Sequence, residues 1–139
     1  MFSKIVLPVD LSDRHGPAVN VALDLGREGG GEVVLLHVIE TILGVGMDEE
    51  RAFYNRLEQA ARLHLVQLGR QFESCQVRWR PEIRYGPRAQ QIAHYAVEVG
   101  ADLIVLTAPR FDPLNPGGGW GSLSWKVSFL VPCPVLLVK

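Results

Sequence analysis

ADLIVLTAPRFDPLNPGGGWGSLSWKVSFLVPCPVLLVK, residues 101–139, decides the fold. Two short apolar runs, Leu103 to Thr107 and Pro134 to Val138, are separated by a proline- and glycine-rich loop and then by a short helix-like segment. A strand, a loop, a helix and a strand in that order supply the long crossover that two parallel neighbours in one sheet require. Open α/β sheets bind their ligands outside the carboxyl ends of the strands, so the loop after Thr107 is the first place to look for function.

The same alternation runs back through the chain. Lys4 to Val9 is a nearly continuous apolar run ending at Asp10, which suits a central strand buried on both faces. Ala18, Val21, Ala22 and Leu25 then recur at helical spacing, with Pro17 near the start and Gly29 to Gly31 at the end. Glu32 to Ile39 is a second buried-strand run, interrupted by His37. After a glycine-containing connection, Thr41 to Gly46, the residues Phe53, Leu57, Ala61, Leu65, Leu68 and Phe72 predict the longest helix. Gln76 to Tyr85 alternates apolar and polar residues and contains Pro81, as an outer strand with one wetter face would. Gly86 and Pro87 open a third helix with Ala89, Ile92, Ala93 and Ala96 on one face, closed by Gly100. The pattern predicts one α/β domain over residues 1–139, a doubly wound parallel sheet with helices on both faces.

Composition narrows the function. The 14 basic and 15 acidic residues nearly cancel, so no overall positive field argues for nucleic acid. The apolar runs fall far short of the roughly 20 residues that span a bilayer, and the start carries no signal-peptide pattern, so a cytoplasmic protein with no membrane contact is expected. Cys75 and Cys133 lie far apart, with no pattern for zinc or a disulfide framework. No GxSxG, GxGxxG after the first strand, Walker loop or HExxH occurs. A phosphoacceptor domain would need a second Asp where Tyr85 stands, and a flavodoxin-type phosphate loop would have only Ser12 to offer between Leu11 and Gly16.

Four strings, KIVLPVDLS, VVLLHVIE, RYGPRAQQIAHYAVEVGADLIVL and GSLSWKVSFLVPCPVLLVK, resemble the universal stress protein family over nearly the whole chain. The resemblance implies a three-layer, Rossmann-like fold of the adenine-nucleotide-hydrolase type, its five parallel strands ordered 3-2-1-4-5 around a cleft where strands one and four diverge. It also implies a homodimer through the last strand, where Val135 to Val138 would otherwise leave an open apolar edge. Nucleotide-binding members carry Gly, two residues, Gly, nine residues, then Gly with Ser or Thr. Here Gly121 and Ser122 end that signature, but Ala108 and Phe111 stand at the first two glycine positions.

A phosphate cradle needs converging backbone N–H groups, often from residues at positive φ. Pro109, Pro113 and Pro116 remove donors, and Asp112 adds a negative charge; Arg110 and the run Gly117 to Gly119 act the other way. By resemblance the candidate nucleotide cleft comprises Pro8, Val9, Asp10, Val38, Ala108, Arg110, Gly121, Ser122, Leu123 and Ser124. Each has a plainer reading: Asp10 caps the first helix region or its turn, and Ser122 is an ordinary N-cap. Trp120 stacks on a base, fills a partner's pocket or, more commonly for such a residue, plugs its own cleft; His37 is a hydrogen-bonded core residue, and His15, His64 and His94 are solvated. Cys133 is packed, and Lys126 lies on a solvated helix face.

The sequence thus favours a stress-response regulatory or adaptor module that is not an enzyme, binds a protein partner and has weakened or lost ATP binding. The alternative is an ATP or AMP sensor using this cleft, with magnesium only if ATP is bound; a weak ATPase comes third.

Overall fold

Val33 to Leu36 and Ile104 to Leu106 are almost wholly removed from solvent, as parallel strands covered on both faces must be. A computed structural model of the chain describes residues 1–41, 50–109, 113–114 and 122–139. The described residues form β1 (Lys4–Pro8), α1 (Gly16–Gly29), β2 (Glu32–Ile39), α2 (Arg51–Ser74), β3 (Trp79–Tyr85), α3 (Arg88–Val99), β4 (Leu103–Thr107), α4 (Leu123–Leu130) and β5 (Val135–Val138). The five strands make one sheet in the order β3-β2-β1-β4-β5, with every neighbouring pair parallel.

Successive strand residues point to opposite faces, and this divides the core in two. Ile5, Leu7, Val33, Leu35, Leu103 and Val105 meet α1 and α2 residues such as Val19, Leu65 and Phe72. Val6, Val34, Leu36, Ile104 and Leu106 meet Ile92, Tyr95 and Ala96 of α3 and Val127 of α4. Charged groups tie the amino ends of the strands. Lys4 Nζ and Arg80 Nε donate to Glu32 Oε1 at 2.7 and 3.0 Å, across β1, β2 and β3. The Asp102 carboxylate accepts from the Ser3 and Lys4 amides at 2.8 and 3.1 Å, which anchors β4 beside β1.

One feature of the pairing creates the crevice. β1 pairs with β2 along its whole length, from Lys4↔Glu32 to Pro8↔Leu36, but with β4 only at Ile5↔Leu103 and Val6↔Ile104. Beyond Val6 the two central strands part, at the point where strand order reverses and α/β sheets place their ligands.

The expected elements differ in detail from those observed. β1 stops at Pro8, β3 begins at Trp79 and β5 at Val135, each shorter than expected, although Val9, Arg78 and Pro134 just outside them still bond the neighbouring strand. β3 is an edge strand, but all seven of its residues are partly buried; the expected wet-and-dry alternation is absent because α2 and α3 both reach over it. In α2 it is Tyr54 that enters the core, whereas Phe53 stays exposed, their rings meeting edge to face at 5.3 Å. The expected connection Thr41 to Gly46 lies outside the described residues beyond its first position.

Gly69 lets α2 approach β3. A Cβ added there would fall inside contact distance of the Trp79 ring, which is held by its indole N–H donating to Glu73 Oε1 at 3.1 Å. Alanine gains about 1 kcal/mol of helix propensity over glycine, while overpacking costs about 1–3 kcal/mol. Gly69→Ala is therefore expected to lower the midpoint of urea unfolding despite its better propensity, and an unchanged or raised midpoint would show that Trp79 yields freely.

Candidate functional site

Asp10 follows the central strand, and among the described residues its carboxylate is the most heavily engaged acidic group at the carboxyl edge of the sheet. It does not cap α1, whose N-cap is His15 and makes no side-chain cap bond. It forms an Asx turn: Oδ1 accepts from the Ser12 amide at 2.9 Å and from the Ser12 hydroxyl, and Oδ2 accepts from Arg14 Nη2 at 3.3 Å. The turn reading of Asp10 therefore holds.

His15 corrects an expectation. It was expected to be solvated, yet it is only 5% exposed. Its Nε2 lies 2.7 Å from Asp10 Oδ1, and its Nδ1 lies 2.7 Å from Thr107 Oγ1 at the end of β4. Pro17, at the first turn of α1, starts the helix here, so the ring just before it turns inward over the parting of β1 and β4.

Electrostatics assign the protons. Burial alone would raise the Asp10 carboxyl, but the Ser12 hydroxyl and amide, and then His15, outweigh it and hold the group well below the usual carboxylate range. For His15, burial pushes the pKa below its ordinary value; the bond to Asp10 and its charge only partly offset this, and Arg14 and His64 push the same way as burial. At neutral pH an ionised carboxylate thus faces a neutral imidazole. A carboxylate can only accept, so the ring proton sits on Nε2 and Nδ1 accepts the Thr107 hydroxyl proton. The Asp10 amide N–H also points at Nε2, at 3.1 Å, a longer contact than the 2.7 Å one to the carboxylate.

The rest of the crevice is mostly apolar, with Arg14 and Arg88 also in its lining. Pro8, Val9, Leu36, Val38, Leu106 and Leu123 line it with Asp10, His15 and Thr107, and about 30 Å³ of space remains. That is the share of one water molecule. His37 is the hydrogen-bonded core residue expected, its Nδ1 2.8 Å from the Val9 carbonyl oxygen. A larger cleft of about 620 Å³ opens next to it between the first turn of α3 and the length of α4; Arg88 and Leu123 line both spaces.

Ser122 is the N-cap of α4, accepting from the Trp125 amide at 3.4 Å, and its hydroxyl lies 3.1 Å from that of Ser124, which is buried. Ala108 follows β4 and donates its amide to Val138 at 2.8 Å. Of the candidate cleft, then, Pro8, Val9, Asp10, Val38 and Leu123 line one crevice, and Ser122 and Ser124 stand beside it at the start of α4. Arg110 and Gly121, like Phe111, Asp112, Pro116, Gly117 to Gly119 and Trp120, lie outside the described residues.

His94 and Lys126 are exposed as expected, but His64 is half-buried, with Nε2 shielded from water and without a hydrogen-bond partner among the described residues. Burial pushes the Cys133 thiol up, as suits a packed cysteine. Tyr85, where a phosphoacceptor domain would place an Asp, donates to Glu58 Oε2 at 2.7 Å; burial and then this bond push its phenol up to about 12. Among the described residues no cluster of His, Cys, Asp and Glu could hold a metal ion, and no helix is long and apolar enough to cross a membrane.

A family profile described as the universal stress protein family matches residues 1–139. The chain belongs to the universal stress protein family. Universal stress protein Sll1654 of Synechocystis sp. is 32% identical over 138 residues, covering 99% of this chain and 86% of that protein. Universal stress protein MJ0531 of Methanocaldococcus jannaschii is 28% identical over 142 residues, covering 100% of this chain and 83% of that one. Among solved structures, universal stress protein UspA from Lactobacillus plantarum superposes with a TM-score of 0.81 at 22% identity, covering 99% of this chain and 97% of that one. The family fold expected from the sequence is the one observed.

The proton assignment makes a prediction. The native His15 pKa lies below the unfolded value, so between the two the unfolded chain binds more protons and stability falls as pH drops from about 7 through that window. His15→Gln keeps a donor for Asp10 but does not titrate. Urea midpoints measured from about pH 7.5 to 5 should fall more steeply in the wild type than in His15→Gln. Equal slopes would contradict the neutral, buried ring.

Proposed function

We propose that this universal stress protein is a single-domain, cytoplasmic regulatory or adaptor module that works by binding another protein, without an enzymatic turnover of ATP. The observation that carries this reading is the closed crevice. Small-molecule sites generally offer about 300–1,000 Å³, and a purine does not enter the 30 Å³ left between β1 and β4. Its carboxylate is also engaged: Asp10 already accepts from Ser12 and Arg14 and faces His15, which leaves less of it for a base. The small space between β1 and β4 and the engaged carboxylate support weakened adenine-nucleotide binding in this crevice.

A nucleotide sensor is the second reading. It is supported by solved universal stress proteins bound to AMP, dAMP and cAMP, and it would use Ser122 and Ser124 at the start of α4. The two readings separate in solution. Denaturing the purified protein should release no adenine nucleotide, and calorimetry should detect no micromolar binding of ATP or AMP. Release of nucleotide, or micromolar affinity for either, would favour the sensor.

We further propose a homodimer through β5, which pairs with β4 on one side and leaves its other edge open. Leu136 and Leu137 on this strand are 39% and 44% exposed, an apolar edge that soluble proteins normally cover. Sedimentation should find a dimer at micromolar concentration and a monomer for Leu137→Glu; a wild-type monomer would count against this assembly.

A further inference from the structure

We propose that Thr107 is an acyl-acceptor residue: its hydroxyl, bonded to an imidazole that a carboxylate holds in place, takes an acyl group from an activated donor such as an aryl ester or thioester. This goes beyond the regulatory reading and does not depend on it. A hydroxyl is a weak nucleophile until a base within hydrogen-bond reach takes its proton, and that base must itself be oriented by a third group. Here the distances are 2.7 Å from Thr107 Oγ1 to His15 Nδ1 and 2.7 Å from His15 Nε2 to Asp10 Oδ1. The hydroxyl and its base are 92 residues apart in the chain, so no short sequence pattern can display the set.

The surroundings suit the base. Burial keeps His15 neutral near pH 7, the form that accepts a proton, and the Asp10 carboxylate balances the charge that forms on the ring. The other charged or titratable groups facing the ring are Arg14, itself bound to Asp10 at 3.3 Å, and His64 from α2. Thr107 is half-buried and lines the small crevice, whose 30 Å³ restricts the acyl group to the smallest chains. The adjoining 620 Å³ cleft, with Trp125 and Phe129 on its wall, receives the apolar leaving group. Arg88, whose Nε lies 4.0 Å from Glu40 Oε1, borders both spaces.

The step balances without a redox partner. Thr107 Oγ1 attacks the carbonyl carbon while its proton passes to Nδ1. The tetrahedral intermediate collapses, and the bond to the leaving group breaks. The phenolate or thiolate departs with the electron pair and takes the proton from Nδ1. The products are a Thr107 ester and a free phenol or thiol.

p-Nitrophenyl acetate is the probe. At about pH 7.5 the wild type should release p-nitrophenol in a burst of one equivalent per chain, and peptide mass mapping should place the acetyl group on Thr107. The burst rate should rise with pH to a plateau, with a midpoint below 6.5, the ordinary histidine value. Thr107→Ser should retain the burst, Thr107→Val should abolish it, and His15→Gln should slow it by about 100-fold or more. Circular dichroism checks each variant; if Thr107→Val fails to fold, Thr107→Ser and His15→Gln decide the matter. No acetyl group on Thr107, or equal rates in wild type and His15→Gln, would overturn the proposal.

Discussion

An ionised carboxylate that is one-third exposed, at the end of a buried central strand, must find donors nearby. Asp10 finds them in its own turn, Ser12 and Arg14, and in His15. The bond to His15 draws the residue before α1 inward until its other ring nitrogen meets Thr107 on β4. The gap between two parting strands is thereby bridged by side chains, and little space remains in it for a ligand.

The sheet makes that bridge necessary. β1 and β4 pair at two positions and then separate, so the carboxyl ends of the central strands are not linked by backbone hydrogen bonds. At the opposite edge Asp102 and the group of Lys4, Glu32 and Arg80 hold the strands together. The amino edge is thus fixed by ion pairs and capped amides, while at the carboxyl edge His15 bridges the described ends of β1 and β4. Substitution at the carboxyl edge is consequently freer to alter what the crevice holds than to alter the fold.

The architecture was legible in the sequence because parallel strands covered on both faces must be apolar throughout. Val33 to Leu36 and Leu103 to Leu106 can be read in no other way. His37 was legible too, since a histidine inside such a run has to be a bonded core residue. His15 was not. Its neighbours Asp13, Arg14 and Gly16 are polar or small and exposed, and nothing local shows that the chain turns it inward toward Thr107. The exchange of Phe53 for Tyr54 has a similar cause: helical spacing fixes a face to within about one residue, and the ring of Tyr85, 6.3 Å from Tyr54, selects which aromatic enters. The expectation about the glycine signature rested in large part on Arg110, Phe111, Asp112, Pro116, Gly117 to Gly119 and Gly121, which lie outside the described residues; the narrow crevice bears on the same question from the other side.

The account stands on a neutral His15 whose proton is on Nε2, bonded to the Asp10 carboxylate, with Nδ1 accepting from Thr107. Nitrogen-15 NMR of the imidazole rings at neutral pH reads this directly. The account predicts a single, slowly exchanging tautomer for His15 with a protonated Nε2 and a bare Nδ1. A doubly protonated ring, the opposite tautomer, or a pair of nitrogens averaged by free exchange with solvent would contradict it.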